Sequence, residues 1–284
     1  MQVELSGGPY ALTAGSDGAI WVTLIHSGEI ARIDISGKAE IYAVATDSKP
    51  AIITRGQDGA LWFTRTGDDR IGRITVTGEQ SSFGLPTGSA PYGITAGPDG
   101  ALWFTAMGTS SVGRITLDGA VTQWPAGGHG PSMITTGPDG ALWFTLNGSG
   151  AIGRLEPTGD AVTVRALPTS NAGPVGITAT HDDAVWFTEI AAEQLGRIPL
   201  NDAIQEIPLA GKPHAVAADP AGGVWVTLWG ADQIARVTAD GETTTFGLPP
   251  GSEPHGLAIG PDGAVWVALE SGFVIALRLH EAVD

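Results

Sequence analysis

The chain lacks cysteine and is poor in basic residues, and each of these deficits excludes some classes of protein. Without cysteine it has neither a disulfide framework nor thiol chemistry, which is compatible with a reducing compartment. Only 14 residues are basic against 30 acidic ones, and the net charge of −16 argues against nucleic acid or an anionic membrane as a partner. We therefore expect a soluble, acidic protein that binds neither.

Long apolar runs are also missing. No stretch approaches the ~20 apolar residues of a membrane span. The first residues show neither the basic nor the apolar segment of a secretion signal. We expect a cytoplasmic protein and a monomer. The 42 glycines and 19 prolines indicate many tight turns, while a hydrophobic content of 42% is enough for a packed core.

What the chain has in abundance is an internal repeat. Its best copy, residues 91–105, reads Pro-x-Gly-Ile-Thr-x-Gly-x-Asp-Gly-Ala-Leu-Trp-Phe-Thr. The proline recurs every 39 to 43 residues, at Pro9, Pro50, Pro91, Pro131, Pro174, Pro213 and Pro254. The tryptophan recurs in step, at Trp21, Trp62, Trp103, Trp143, Trp186, Trp225 and Trp266. A fixed period of this length is typical of repeat folds.

Each repeat contains signals for four short strands. In the best copy, residues 93–96 and 101–105 are rich in β-favouring residues and flank a Gly-Pro-Asp-Gly turn. A third strand is predicted at 112–115, and 243–248 is typical of the fourth. Four strands per unit and seven units predict an all-β fold, a seven-bladed β-propeller of antiparallel strands.

The two ends of the chain are predicted to meet. The last unit has three strands, and residues 2–6 resemble the fourth strand of the other units. We expect this N-terminal strand to complete the last blade and close the ring, which also covers a sheet edge. Residues 1–284 then form a single propeller domain.

Two repeated side chains are interpreted as structural. The tryptophans are predicted to form the core between blades. An arginine that recurs in the third strand is interpreted as a tie between neighbouring blades, not as an anion-binding ring. These arginines are Arg32, Arg73, Arg114, Arg154, Arg197 and Arg236.

The last repeat departs from the consensus at ionisable positions. Glu253 precedes its proline, His255 follows it, and Glu270 stands four residues after its tryptophan. Because the first two strands of a blade are antiparallel, the start of one and the end of the other lie at the same mouth of the ring. We therefore expect these three side chains to converge there.

The position after the repeat proline singles out one arc of the ring. Around the ring it reads Tyr10, Ala51, Tyr92, Ser132, Val175, His214 and His255. Because the ring closes, His214, His255 and Tyr10 lie on consecutive blades, with Tyr92 further round the same mouth. Two more histidines are expected near this rim, namely His26 and His129.

Two carboxylates beside an imidazole suit a hard cation and a general base. Mg²⁺ typically takes one or two protein carboxylates and keeps several waters, whereas zinc more often takes three protein ligands. A neutral His255, with an unperturbed pKa of ~6.5, could act as a base near pH 7. The residues alone leave open a metal-dependent lactonase and a non-catalytic, NHL-type binding propeller.

A family resemblance rests on three segments together with the repeat. Lys212-Pro213-His214, Glu253-Pro254-His255-Gly256 and Val265-Trp266-Val267-Ala268-Leu269-Glu270 resemble the virginiamycin B (streptogramin B) lyase family. The resemblance covers the whole chain. It implies a carbon–oxygen lyase that linearises a cyclic depsipeptide antibiotic by elimination at its threonyl ester, and so confers antibiotic resistance.

The resemblance also implies a role for each site residue. His255 would be the proton acceptor that removes the threonine α-proton. Glu253 and Glu270 would hold Mg²⁺, which polarises the ester. His214 would bind the substrate, and Tyr10 and Tyr92 would be its aromatic contacts. Elimination needs a base and an electrophile but no nucleophile.

Overall fold

The protein is built from short strands. The computed structural model describes residues 1–159, 161–200 and 202–278. In this part of the chain there are 28 strands and two 3-10 helices, Asn147–Ser149 and Trp229–Ala231. None of the helices in it has the length and apolar character needed to cross a membrane.

The strand bounds follow the repeat. Before the first repeat comes β1 (Gln2–Glu4). Blade 1 contains β2 (Pro9–Ala14), β3 (Ile20–Leu24), β4 (Glu29–Ile33) and β5 (Ala39–Ala43). Blade 2 contains β6 (Pro50–Arg55), β7 (Leu61–Arg65), β8 (Arg70–Ile74) and β9 (Gln80–Gly84). Blade 3 contains β10 (Pro91–Ala96), β11 (Leu102–Ala106), β12 (Ser111–Ile115) and β13 (Val121–Pro125).

The second half of the ring repeats this order. Blade 4 contains β14 (Pro131–Thr136), β15 (Leu142–Leu146), β16 (Ala151–Leu155) and β17 (Val162–Ala166). Blade 5 contains β18 (Pro174–Thr180), β19 (Ala184–Glu189), β20 (Gln194–Pro199) and β21 (Gln205–Pro208). Blade 6 contains β22 (Pro213–Ala218), β23 (Val224–Leu228), β24 (Gln233–Val237) and β25 (Thr243–Gly247). Blade 7 contains β26 (Pro254–Ile259), β27 (Val265–Leu269) and β28 (Phe273–Leu277).

These sheets form the predicted seven-bladed propeller. Each blade is a four-stranded antiparallel sheet. The first strands of neighbouring blades contact each other all the way round, including β26 with β2. In blade 7 the fourth strand is β1, which pairs with β28 so that Val3 lies opposite Val274. The prediction of a seven-bladed all-β ring is confirmed.

The repeated aromatic residues fill the space between blades. Trp21 of blade 1 is fully buried and packs against Ile53 and Leu61 of blade 2, as predicted for the tryptophans. The phenylalanine that follows the tryptophan needs a glycine on the third strand. A Cβ atom on Gly113 would lie 2.1 Å from Cζ of Phe104, so only glycine leaves room for that ring.

The interpretation of the repeated arginines is wrong. Arg73 contacts Asp58 of its own blade, with Nε 2.8 Å from Oδ2, and does not tie two blades together. The other oxygen of Asp58 accepts a hydrogen bond from Nε1 of Trp62, and the guanidinium lies over that indole. The arginine therefore braces the first turn of its own blade. The same ion pair recurs as Arg32–Asp17, Arg114–Asp99, Arg154–Asp139, Arg197–Asp182 and Arg236–Asp219.

Blades are joined instead by a threonine two residues after the tryptophan. In blade 4, Oγ1 of Thr145 accepts a hydrogen bond from Met133 N at 3.0 Å and donates one to Val175 O of blade 5 at 2.8 Å. We call this pair of bonds the threonine latch. It recurs with Thr23, Thr64, Thr105, Thr188 and Thr227. Blade 7 has Ala268 at this position.

Removing one latch should destabilise the ring. We expect Thr145→Val to lower the free energy of unfolding by about 2 kcal/mol, because it leaves a buried N–H and a buried C=O without their hydroxyl partner. Thr145→Ser keeps the hydroxyl and is the matched control. Denaturant unfolding of the three proteins tests this. Equal stability of Thr145→Val and wild type would contradict the latch.

Candidate active site

A β-bulge in the first strand of each blade shapes the mouth of the ring. In blade 7, Pro254 pairs with Leu269, but the next pair is Leu257 with Val267. Three steps along β26 therefore match two along β27, and the extra residue forms the bulge. A bulge re-aims the side chains that it contains. Here it contains His255.

His255 lies against its counterparts on the two adjacent blades. The centroid of its ring is 4.4 Å from that of Tyr10 in blade 1 and 4.6 Å from that of His214 in blade 6. The arc predicted from the position after the repeat proline is thus a contact cluster. The indole of Trp229 lies further out, 6.4 Å from the imidazole of His255.

Glu270 holds the imidazole of His255. Oε2 of Glu270 is 2.6 Å from Nε2 of His255, and the side chain of His255 is only 11% exposed. A carboxylate can only accept a hydrogen bond, so Nε2 carries the proton. In the neutral ring Nδ1 then carries the lone pair. Nδ1 is buried and has no hydrogen-bond partner within the described part of the chain.

Burial keeps both site histidines neutral. Desolvation lowers the pKa of His255, and the opposing charges of Glu270 and Glu253 do not reverse this shift. Desolvation lowers the pKa of His214 to about 3, with the neighbouring His255 adding to the shift. Both imidazoles are therefore uncharged near neutral pH, and that of His255 is available as a base.

Tyr10 and Tyr92 form a pair across the mouth. Their hydroxyl oxygens are 2.6 Å apart, and their rings meet edge to face. Between them in ring order stands Ala51, which is fully buried. Burial raises the pKa of Tyr10 and raises that of Tyr92 well above its usual value, so both stay protonated. The sequence placed both at this mouth but did not predict their contact.

Behind this cluster an apolar cavity runs along the axis. Tyr10, Tyr92 and His214 form part of its wall. The rest comes mainly from aliphatic side chains of the first strands, including Leu12, Ile53, Ile94, Ile177, Val216 and Leu257. The polar groups of the mouth thus sit on an apolar base, an arrangement typical of small-molecule sites.

Glu253 is placed by its backbone. Glu270 N donates to Glu253 O at 3.1 Å, which brings the two glutamates side by side. Glu253 has a left-handed φ of 49°, and Asp232 of blade 6 accepts a hydrogen bond from its N–H. Lys49, Ala90 and Lys212 have the same conformation before their prolines, so it belongs to the scaffold. The side chain of Glu253 is exposed.

The donor set at this point fits a hard cation. Two adjacent glutamates supply only carboxylate oxygens, and one of them is exposed to solvent, which suits an ion that keeps several waters. The described residues hold no group of three or more His, Asp or Glu side chains placed to share a metal ion, so a cation at this point would have few protein ligands. Both glutamate charges also act on His255.

His26 completes the surroundings of Glu270. Its Nε2 is 2.8 Å from Oε1 of Glu270, so both carboxylate oxygens contact an imidazole. The sequence placed His26 near the rim without a role, because it lies one residue beyond the repeated position four residues after the tryptophan. His129, also expected near the rim, donates a hydrogen bond from its backbone N–H to Oγ of Ser149 at 2.7 Å.

Fold and site together define a class: a seven-bladed propeller with two histidines, two tyrosines and a carboxylate in contact in one sector of its mouth. Known proteins place it more narrowly. The family model described as the virginiamycin B lyase family matches residues 1–277. A virginiamycin B lyase of Mycobacterium sp. strain KMS is 69% identical over 274 residues, which is 96% of this chain and 98% of that protein. The chain belongs to the virginiamycin B lyase family.

Solved structures agree with this. Selenomethionine-substituted virginiamycin B lyase from Staphylococcus aureus is 38% identical, with a TM-score of 0.93 and 98% coverage of both chains. A catalytically inactive histidine-to-alanine variant of that enzyme, solved with quinupristin, is also 38% identical. It has a TM-score of 0.91 and covers 96% of this chain and 97% of the other.

Proposed function

We propose that the protein is a carbon–oxygen lyase that linearises type B streptogramins by elimination at the threonyl ester. The observation that carries this is the neutral, largely buried imidazole of His255, which Glu270 orients through Nε2. Support also comes from the virginiamycin B lyases that share its fold and most of its length. One of these, in a histidine variant that is catalytically inactive, was solved with quinupristin.

The geometry suits the transfer of one proton. The imidazole of His255 accepts the threonine α-proton, and the C–H electrons form a double bond between Cα and Cβ as the Cβ–O bond breaks. The ester oxygen leaves as a carboxylate, so no water is consumed. As His255 becomes an imidazolium, the carboxylate of Glu270 stabilises its charge through the Nε2 hydrogen bond.

The other residues of the mouth bind and orient the substrate. The neutral His214 and the protonated hydroxyls of Tyr10 and Tyr92 offer hydrogen bonds without bringing a competing charge. Their rings and the apolar cavity below them suit a bulky macrocycle. Holding the ester in a fixed position next to His255 raises the reaction rate, because the base and the substrate no longer have to meet in the right orientation by chance.

We also propose Glu253 and Glu270 as the residues that hold Mg²⁺. Each carboxylate oxygen has two lone pairs, so Glu270 can bind a cation while it still accepts a hydrogen bond from His255. A bound Mg²⁺ would act as a Lewis acid toward the ester and its departing carboxylate. The monomeric state and the cytoplasmic location stay predictions from the sequence.

Neutralising Glu253 should weaken the response to Mg²⁺. We expect Glu253→Gln to raise the Mg²⁺ concentration for half-maximal turnover of quinupristin at least ~10-fold, because one of two charged ligands is lost. Turnover is followed by chromatography in a metal titration of chelator-treated protein. The exposed Glu79→Gln is the matched control. Equal titration curves for Glu253→Gln and wild type would remove Glu253 from the metal site.

A further inference from the structure

The junction between blade 7 and blade 1, which we call the seam, differs from the other junctions at the mouth. Elsewhere a threonine hydroxyl links the bulge of one blade to the carbonyl of the next, as Thr227 does to His255 O. At the seam Ala268 takes that position. Its methyl group cannot accept from Gly256 N or donate to Tyr10 O. Blades 7 and 1 therefore meet at the candidate active site without a threonine latch between them.

A side-chain contact spans the seam at the rim instead. Nε2 of His26 in blade 1 lies 2.8 Å from Oε1 of Glu270 in blade 7. The loop of His26 is fixed by a hydrogen bond from its N–H to Gly7 O at 2.9 Å. Its ring lies so close over Gly8 that a Cβ there would be 2.3 Å from Cδ2. Gly8, with a φ of 72°, therefore leaves the space in which the imidazole of His26 lies next to Glu270.

We infer that His26 is a positioning residue for Glu270. The inference rests on the proposed function, because it concerns the carboxylate that orients His255. A carboxylate fixed at one oxygen only can rotate about its terminal bond. With His26 donating to Oε1, Oε2 is kept 2.6 Å from Nε2 of His255. The side chain of His26 is 63% exposed, so it adds little to the core and acts through this one hydrogen bond.

The first test compares three histidine variants. Loss of a residue that orients a ligand typically costs 10–100-fold in metal affinity or activity. We expect His26→Ala to lower kcat about 10-fold and to weaken Mg²⁺ binding, measured calorimetrically without substrate, about 10-fold. His26→Gln keeps an N–H donor and should stay within about 3-fold of wild type. His129→Ala removes an exposed histidine from the same rim and should change neither quantity.

The second test separates positioning of Glu270 from closure of the ring. Ala268→Thr should supply the missing latch, since six blades accommodate threonine there. In the double variant His26→Ala/Ala268→Thr, we expect a melting temperature at or above that of wild type with kcat and Mg²⁺ affinity as low as in His26→Ala. If the added threonine restores kcat and Mg²⁺ affinity, His26 only closes the seam and the inference is wrong.

The outcomes distinguish this inference from the proposed function. Wild-type kcat and Mg²⁺ affinity in His26→Ala would overturn the positioning role while leaving the lyase assignment intact. A wild-type protein that leaves quinupristin unchanged would overturn the lyase assignment. In that case the calorimetric comparison of wild type, His26→Ala and His26→Gln would still decide whether His26 positions Glu270.

Discussion

Replacing His255 with alanine is expected to lower kcat/KM for a type B streptogramin by about 10²–10⁴-fold, the usual contribution of a positioned general base. The imidazole of His255 is the only base that we assign to the α-proton. Without it, the carboxylate of Glu270 has no imidazolium to stabilise. The expected loss is therefore in kcat, with little change in KM, because His214 and the tyrosines still bind the substrate.

Folding has to be shown separately for this variant. Circular dichroism and a thermal melt of His255→Ala should match wild type, because the ring is held by its sheets and latches. His181→Ala, in the turn after β18, is the matched control for losing a histidine away from the site, and its kcat should be unchanged. A His255→Ala protein with wild-type kcat would remove His255 from the reaction.

A second large effect is expected on the stability of the fold, at Glu189. This residue ends β19 in blade 5 and is fully buried. Blades 1, 4, 6 and 7 have leucine there, namely Leu24, Leu146, Leu228 and Leu269. Neither carboxylate oxygen of Glu189 has a hydrogen-bond partner among the described residues. Burial, together with the charge of Glu206, raises the pKa of Glu189 to about 7.

The sign of the pH dependence follows from this shift. The folded state holds the proton of Glu189 more tightly than the unfolded state, where the pKa is 4.5. Stability from the neutral acid is therefore complete below pH 4.5 and is lost as the pH rises through about 7. Above that pH the stability lost amounts to about 3 kcal/mol, because each unit of difference between the folded and unfolded pKa corresponds to 1.36 kcal/mol.

Glu189→Leu removes the ionisable group and should remove this loss. We expect the variant to be more stable than wild type by about 3 kcal/mol at pH 8, with a smaller difference at pH 4.5. Chemical denaturation at both pH values measures it, and the exposed Glu79→Gln controls for the loss of one carboxylate elsewhere in the ring. A stability difference that does not vary with pH would show that Glu189 does not titrate near neutrality.

The fold was predictable because seven copies of the repeat carry the same strand and turn signals. The period of the prolines and tryptophans gave the number of blades, and residues 2–6 indicated how the ring closes. The arginine was misinterpreted because period alone does not say whether its partner, the turn aspartate, lies in the same blade. The threonine of the latch was equally visible, because it recurs two residues after the tryptophan in six of the seven repeats. Its partners are main-chain groups of its own blade and of the next one, and the period of the repeat does not identify them.

The candidate site was predictable where it breaks the repeat. His255 and Glu270 were expected to face each other, and the structure brings them together. His26 was not assigned a role, because its partner Glu270 is 244 residues away in sequence and across the seam. The contact between Tyr10 and Tyr92 joins blades 1 and 3 across the mouth, 82 residues apart in sequence. Such contacts are set by the geometry of the ring and not by local pattern.

The central claim, elimination and not hydrolysis, is tested most directly by the mass of the product formed in H₂¹⁸O. Quinupristin is incubated with the protein and Mg²⁺, and the product is analysed by mass spectrometry. We predict a linear product with the mass of the substrate, no ¹⁸O, and a new carbon–carbon double bond at the former threonine. A product heavier by one water and carrying ¹⁸O would show hydrolysis and contradict the proposed reaction.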